Sequence, residues 1–233
     1  NSDGVGDQKG TKADIKLTVN GKQTRNQISL KVSGGEQFAQ VSGVGFEKQT
    51  ALWQDGLGLN ISSMANAYDR AMQDFDPGLK FFSRSEPVAA EQKQIVKTAM
   101  HLVYEYATNE LNKLFKSRDE VFMRRLIDFI SQGIAGEEQK YIELVKLEKG
   151  KFKSIRPGSK AFRDLVSNLD LVAELRKSGD PMITIKDRTS KTSLITIRAK
   201  TELASSKTKE GKVYRVYPRN YIEAPSNSIL YSL

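Results

Sequence analysis

KADIKLTVNG (residues 12–21) and QISLKVSGGEQF (residues 27–38), two neighbouring stretches near the N-terminus, decide the fold of this part of the chain. Apolar and polar residues alternate over residues 14–19 of the first stretch and residues 28–33 of the second. The apolar positions are Ile15, Leu17 and Val19 in the first stretch and Ile28, Leu30 and Val32 in the second. A period of two is typical of a half-buried strand, so the pattern predicts two strands joined as a hairpin around Asn20-Gly21.

The polar positions of this hairpin are candidates for a site. With a loop centred near residues 22–23, antiparallel pairing is expected to place Asp14 opposite Lys31 and Lys16 opposite Ser29. Because side chains alternate along a strand, the acid and the base fall on the face that points away from the apolar residues. The hairpin thus predicts either a functional site or a solvated surface ion pair.

Composition sets limits on the class of protein. The chain has 233 residues, of which 38% are hydrophobic and 28% charged, as expected for a soluble globular protein with one large or two smaller domains. No run approaches the ~18–20 apolar residues that a membrane span needs, so we expect no membrane segment. There is no cysteine and one histidine, His101, which excludes thiolate sites and sites built on several histidines. A reducing cytoplasm suits this composition.

The net charge points to the kind of partner. A formal charge of +9 attracts polyanions, and DNA is the partner we favour. An acidic membrane surface or an acidic protein would be an equally suitable partner for this positive charge. Alternatively, the charge serves only to keep the protein soluble.

The rest of the chain divides by its periodicity. Residues 36–41 predict a short helix, and residues 87–132 predict two long helices. Strands dominate after residue 137, and residues 205–212 predict a mobile basic hairpin loop. We therefore expect an α+β protein with an N-terminal hairpin core, a helical middle and a strand-rich C-terminal region. The expected domains are residues 1–136 and residues 137–233.

The hairpin resembles the PD-(D/E)XK superfamily of restriction-endonuclease-like nucleases. The similarity rests on Asp14, on the Ser29-Leu30-Lys31 triplet of the next strand and on the Glu36-Gln37 segment behind it, and covers roughly residues 10–42. It implies that Asp14 binds Mg²⁺ or Mn²⁺ and that Lys31 is the catalytic lysine. A bound metal ion supplies hydroxide near neutral pH and, with Lys31, neutralises charge on the phosphoryl oxygens.

The sequence departs from the family pattern at two places. Ser29 stands where the family has Asp or Glu, so Glu36 is expected to act as the second metal ligand, or the Gln37 amide to take that place. The family also has a helix carrying an acid before its Asp, whereas residues 1–13 predict a loop. If the resemblance holds, that helix is missing from this sequence; otherwise the resemblance is accidental.

Basic and aromatic residues are interleaved near the C-terminus. Arg215 and Arg219 can bind phosphates while Tyr217 stacks on bases. Lys191 belongs to a second basic loop, residues 187–191, which together with the loop at residues 205–212 can clamp a duplex. The alternative is that the tyrosines belong to the core and the arginines are solvated.

The sequence thus predicts a metal-dependent endonuclease of the restriction or phage type, acting on DNA. A non-catalytic nucleic-acid-binding protein with a degenerate nuclease fold is the alternative, and a protein whose basic face meets an acidic partner is a third.

Overall fold

The computed structural model describes residues 15–31, 36–43, 45–135, 142–148, 151–176 and 178–232. The chain is an α+β protein, as predicted. The strands are β1 (Ile15–Val19), β2 (Lys22–Lys31), β3 (Glu36–Ser42), β4 (Ile142–Glu148), β5 (Lys151–Ile155), β6 (Leu171–Arg176), β7 (Met182–Asp187), β8 (Ser193–Thr208) and β9 (Gly211–Ala224). The α-helices are α1 (Phe46–Thr50), α2 (Ala65–Ala71), α3 (Pro87–Ser117), α4 (Glu120–Ala135) and α5 (Lys160–Asn168).

The first sheet is mixed and has the strand order β1-β2-β4-β5. β1 and β2 are antiparallel around Asn20 (φ +50°) and Gly21 (φ +75°), the two positive angles that a tight two-residue hairpin turn requires. Lys16 pairs with Gln27. The expected pairing of Lys16 with Ser29 is therefore wrong, because the turn lies two residues earlier than the sequence suggested and a register irregularity follows it.

The second sheet is antiparallel throughout, with the order β3-β9-β8-β7-β6. The helix predicted for residues 36–41 is wrong, since this segment is strand β3 and pairs with β9. Its register shifts between Gln37 and Ala39, and this irregularity hides the period of two that would have indicated a strand.

The hairpin predicted at residues 205–212 is present, but its loop is much shorter than predicted. β8 and β9 continue past it as a ladder in which Lys207 pairs with Lys212 and Thr208 with Gly211. Only Lys209 and Glu210 form the turn, and Gly211 has a φ of +128°, which side-chain-bearing residues rarely adopt. The basic segment is therefore regular structure.

The two long helices follow the sequence prediction and cover the second sheet. Pro87 occupies the first turn of α3, and Arg118 ends that helix in the left-handed conformation. Buried residues of α3 belong to one core with the buried residues of the sheet, and the Tyr104 hydroxyl donates to Asn220 Oδ1 of β9 at 2.8 Å. α3 therefore packs on one face of the sheet, while the opposite face carries the charged residues of β8 and β9.

Each sheet joins segments from both sides of residue 136. β2 pairs with β4, and β3 pairs with β9. The proposed division into residues 1–136 and 137–233 stays a prediction. Among the described residues, no helix combines the length and the apolar character needed to cross a membrane.

Candidate nucleic-acid interface

The residues of the predicted hairpin site fall on two strands. Ser29 and Lys31 lie at the C-terminal end of β2, and Glu36 and Gln37 begin β3. Asp14 lies outside the described residues. Ile15, which follows it in the chain, pairs with Ile28, so β1 begins beside the segment of β2 that carries Ser29 and Lys31.

A row of lysines crosses the first sheet at Lys31. β2 is an inner strand between β1 and the parallel strand β4, where Lys31 pairs with Lys146. Lys146 in turn pairs with Lys153 of β5. The register thus places three lysine positions side by side across β2, β4 and β5.

Sequence reasoning did not find Lys146 and Lys153. Both belong to strand segments that the sequence did indicate, but no local pattern says which strand lies beside β2. That pairing joins positions more than a hundred residues apart and depends on the helices between them.

β3 connects the hairpin site to the strand predicted to bind nucleic acid. Gln37 pairs with Glu223 of β9, and Ser42 pairs with Arg219. Glu223 is held in an ion pair with Arg198, at 2.6 Å between Oε1 and Nη2. The next described strand after β2 in the chain is therefore β3, which pairs along the charged strand β9.

The predicted interface residues of β9 are stacked on each other. Arg215, Tyr217 and Arg219 alternate along one face, and the Tyr217 ring centre lies 5.8 Å from the Arg215 guanidinium carbon and 5.0 Å from that of Arg219. Arg215 is exposed, while Tyr217 and Arg219 are half-buried. The tyrosine is therefore neither a core residue nor a free stacking platform, since cations approach it from two directions.

The charges at the centre of the sheet are paired. Glu202 of β8 accepts a hydrogen bond from the Tyr221 hydroxyl at 2.9 Å and lies 3.5 Å from both Arg219 Nε and Lys200 Nζ. The hydrogen bond with Tyr221 raises the pKa of the Arg219 guanidinium, and burial raises the pKa of the Tyr221 hydroxyl. Arg219 is therefore a permanent cation with its own counter-ion.

Lys191 lies far from the other three predicted contacts. It is exposed in the turn between β7 and β8, with a φ of +61°. The β8–β9 turn is at the opposite end of β8, whose 16 residues span about 50 Å at ~3.3 Å per residue. The structure thus brings Arg215, Tyr217 and Arg219 together and separates Lys191, so the two loops do not form one clamp.

Within the part of the chain that the structure describes, no group of three or more acidic or histidine side chains is arranged to hold a metal ion. The proposed ligand Asp14 is outside that part. Comparisons of the chain with protein-family models, with curated proteins and with solved structures gave no match. Its function is therefore inferred from its own residues.

Proposed function

We propose that this chain is a metal-dependent endonuclease that hydrolyses DNA phosphodiester bonds, as restriction and phage enzymes do. The observation that carries the proposal is the row of Lys31, Lys146 and Lys153 beside the start of β1. Lysines at paired positions of neighbouring strands would repel each other, and a bound anion would relieve that repulsion. A phosphodiester backbone is such an anion, and the cleavable bond would lie against the strand that carries Ser29.

The division of roles follows from the residue types. Asp14 and Glu36 would hold the metal ion, since Mg²⁺ is commonly bound by one or two carboxylates together with substrate phosphate and water. When bound, the metal supplies the hydroxide nucleophile and a Lewis acid. Lys31 places its positive charge where the phosphoryl oxygens gain negative charge, and Ser29 and Gln37 position water or phosphate by hydrogen bonds.

The DNA would continue along β9. Gln37 pairs with this strand, and Arg215, Tyr217 and Arg219 follow on it. Lys191 would contact a phosphate at a more distant part of the same duplex. A cytoplasmic location belongs to the proposal and agrees with a chain that has no cysteine.

A specific observation favours a second candidate function. Ser29 occupies the position where the resemblance leads us to expect a carboxylate, and Glu223, the acid beside Gln37, is already paired with Arg198. A chain that lacks one of the metal-binding carboxylates would keep its basic surface but lose metal-dependent hydrolysis. The second candidate is therefore a non-catalytic DNA-binding protein with a degenerate nuclease fold.

Nicking of supercoiled plasmid separates the two candidates. We expect relaxed circles with Mg²⁺ or Mn²⁺, none with EDTA, and none with Asp14→Ala or Lys31→Ala. The matched control is Lys22→Ala, which removes an exposed lysine at the other end of the same strand and should leave nicking unchanged. Equal activity of Lys31→Ala and the wild type would refute the assigned site. If nothing nicks the plasmid while DNA binding remains steeply dependent on salt, the second candidate replaces the first.

A further inference from the structure

The β8–β9 hairpin extends beyond the sheet as a two-stranded ribbon. β7 pairs with β8 only as far as Arg198, and β3 pairs with β9 only as far as Arg219. From the Thr201–Pro218 pair to the Thr208–Gly211 pair, β8 and β9 pair with each other, and on the other edge of β9 Gly43 donates to the Pro218 carbonyl and Phe81 bridges to Tyr214. At ~3.3 Å per residue, this ribbon is about 25 Å long. Its outer part, residues 205–212, is exposed throughout.

The ribbon differs from the sheet in how its cations are partnered. At the centre of the sheet, Arg198, Lys200 and Arg219 each lie within 4 Å of a carboxylate. The cations of the ribbon form no ion pair among the described residues; they are Lys207, Lys209, Lys212 and Arg215. Glu210 at the turn is the one acidic residue in positions 205–212. The positive charge of the ribbon is thus available to an external anion.

The cations of the ribbon repel each other, and one aromatic ring offsets part of that repulsion. Lys207 and Lys212 are directly opposite in the ladder, a like-charge pair that destabilises a hairpin. The Tyr214 ring lies between two cations, with its centre 5.5 Å from Lys212 Nζ and 5.1 Å from the Arg84 guanidinium carbon. Arg84 adds a charge from the loop that precedes α3, and it has no carboxylate partner in the described structure either.

The same loop presents an aromatic side chain to solvent. Phe81 is buried and forms a two-hydrogen-bond bridge with Tyr214 of the ribbon, while its neighbour Phe82 is 59% exposed. Glu86 Oε1 accepts hydrogen bonds from the backbone N–H groups of Phe82 and Ser83, each at 2.7 Å, which hold the backbone of the loop at this residue. An exposed phenyl ring thus follows directly on the residue that bridges to the ribbon.

We propose that this ribbon is an arm that enters the major groove of duplex DNA, with Lys207, Lys209 and Lys212 on the phosphates at its edges and Phe82 in contact with a base edge or sugar. The major groove, about 12 Å wide, admits a two-stranded ribbon, and phenyl groups contact thymine methyl groups there. Charge complementarity identifies the partner as a polyanion, and the regular, protruding shape favours a groove. The choice of DNA as that polyanion rests on the proposed function.

The test is binding to a fluorescent 20-base-pair duplex in EDTA over a range of salt concentrations. The ribbon variant carries Lys207→Gln, Lys209→Gln and Lys212→Gln. The matched control carries Lys113→Gln, Lys116→Gln and Lys160→Gln, which removes the same charge from exposed lysines of α3 and α5. We expect the ribbon variant to lose at least about 10-fold in affinity at 100 mM salt and to flatten the slope of log K against log salt by up to ~2.7. The control should change the slope far less.

A further variant and a groove probe complete the test. Phe82→Ser should weaken binding several-fold with no change of slope, because it removes an uncharged contact. Dimethyl sulfate reacts with guanine N7 in the major groove, so the wild type should protect guanines that the ribbon variant leaves reactive. Circular dichroism and thermal melting establish that each variant is folded.

Two results would overturn the proposed arm: equal losses in the two triple variants, or undiminished duplex binding by the ribbon variant. Because binding is measured without metal, these outcomes are independent of the nicking assay. Ribbon-dependent binding without nicking would leave the arm in place and refute the endonuclease.

Discussion

Asn112 connects the long helix α3 to the outer edge of the second sheet, and its removal should have a calculable effect. Its side-chain Nδ2 donates to the Ala173 carbonyl oxygen, and its Oδ1 accepts from the Ala173 N–H, both at 2.9 Å. β6, the strand of Ala173, is an edge strand, and Ala173 is only 3% exposed. The amide side chain thus replaces the missing neighbouring strand at this residue.

The magnitude follows from the two hydrogen bonds. Asn112→Ala leaves a buried N–H and a buried C=O unpaired, and each costs about 1 kcal/mol or somewhat more. We expect the free energy of unfolding to fall by about 2–3 kcal/mol. For a chain of this size, that loss lowers the melting temperature by roughly 4–12 °C.

Asn109→Ala is the matched control, because Asn109 is an exposed asparagine on the same helix. Both substitutions gain the same helix propensity, up to ~0.7 kcal/mol, so the difference between the two variants isolates the contact with Ala173. Urea and thermal unfolding followed by circular dichroism measure it. A difference below about 0.5 kcal/mol would refute the reasoning, since the Ala173 groups would then be satisfied without the amide.

Two further predictions concern charged groups of the second sheet. Glu202→Gln should raise DNA affinity about 3- to 10-fold and steepen its salt dependence, because it frees Arg219 and its lysine neighbour to bind phosphates. The free energy of unfolding should change by less than about 1 kcal/mol. A salt titration of DNA binding measures the effect, with Glu110→Gln as a control of the same charge change, and equal gains in the two variants would contradict the prediction. Asp187 accepts hydrogen bonds from the backbone N–H groups of Asp170 and Ser190, and the bonds from Ser190 lead in lowering its pKa. The unfolded chain therefore binds this proton more tightly, so the contribution of Asp187 to stability is complete above pH ~4 and is lost as the pH falls through the lowered pKa. Asp187→Asn should cost about 1 kcal/mol at pH 7 and less at pH 3 in urea unfolding, and an equal cost at both pH values would show that the charge is not involved.

The sequence predicted the elements whose pattern is local. The helices after Pro87 and the C-terminal strands were found because an apolar stripe or alternation decides them within one segment. β3 was mistaken for a helix because its register irregularity breaks the alternation, and only β9 makes it a strand. The row through Lys31 was not predictable at all, since Lys146 and Lys153 become its neighbours through strand pairings that no local pattern encodes.

Chain geometry limits how far the lysine row can lie from the charged strand. Lys31 and Glu36 are five residues apart, so at most ~3.6 Å per residue their Cα atoms are within about 18 Å of each other. Gln37 then pairs with Glu223, from which β9 runs about 40 Å to Gly211 at ~3.3 Å per residue. Together the two segments reach at most about 60 Å, which at ~3.4 Å per base pair corresponds to about 18 base pairs. A duplex of less than two helical turns can therefore span from the hairpin to the tip of the ribbon. The proposed cleavage site and the proposed arm are thus close enough to act on one DNA molecule.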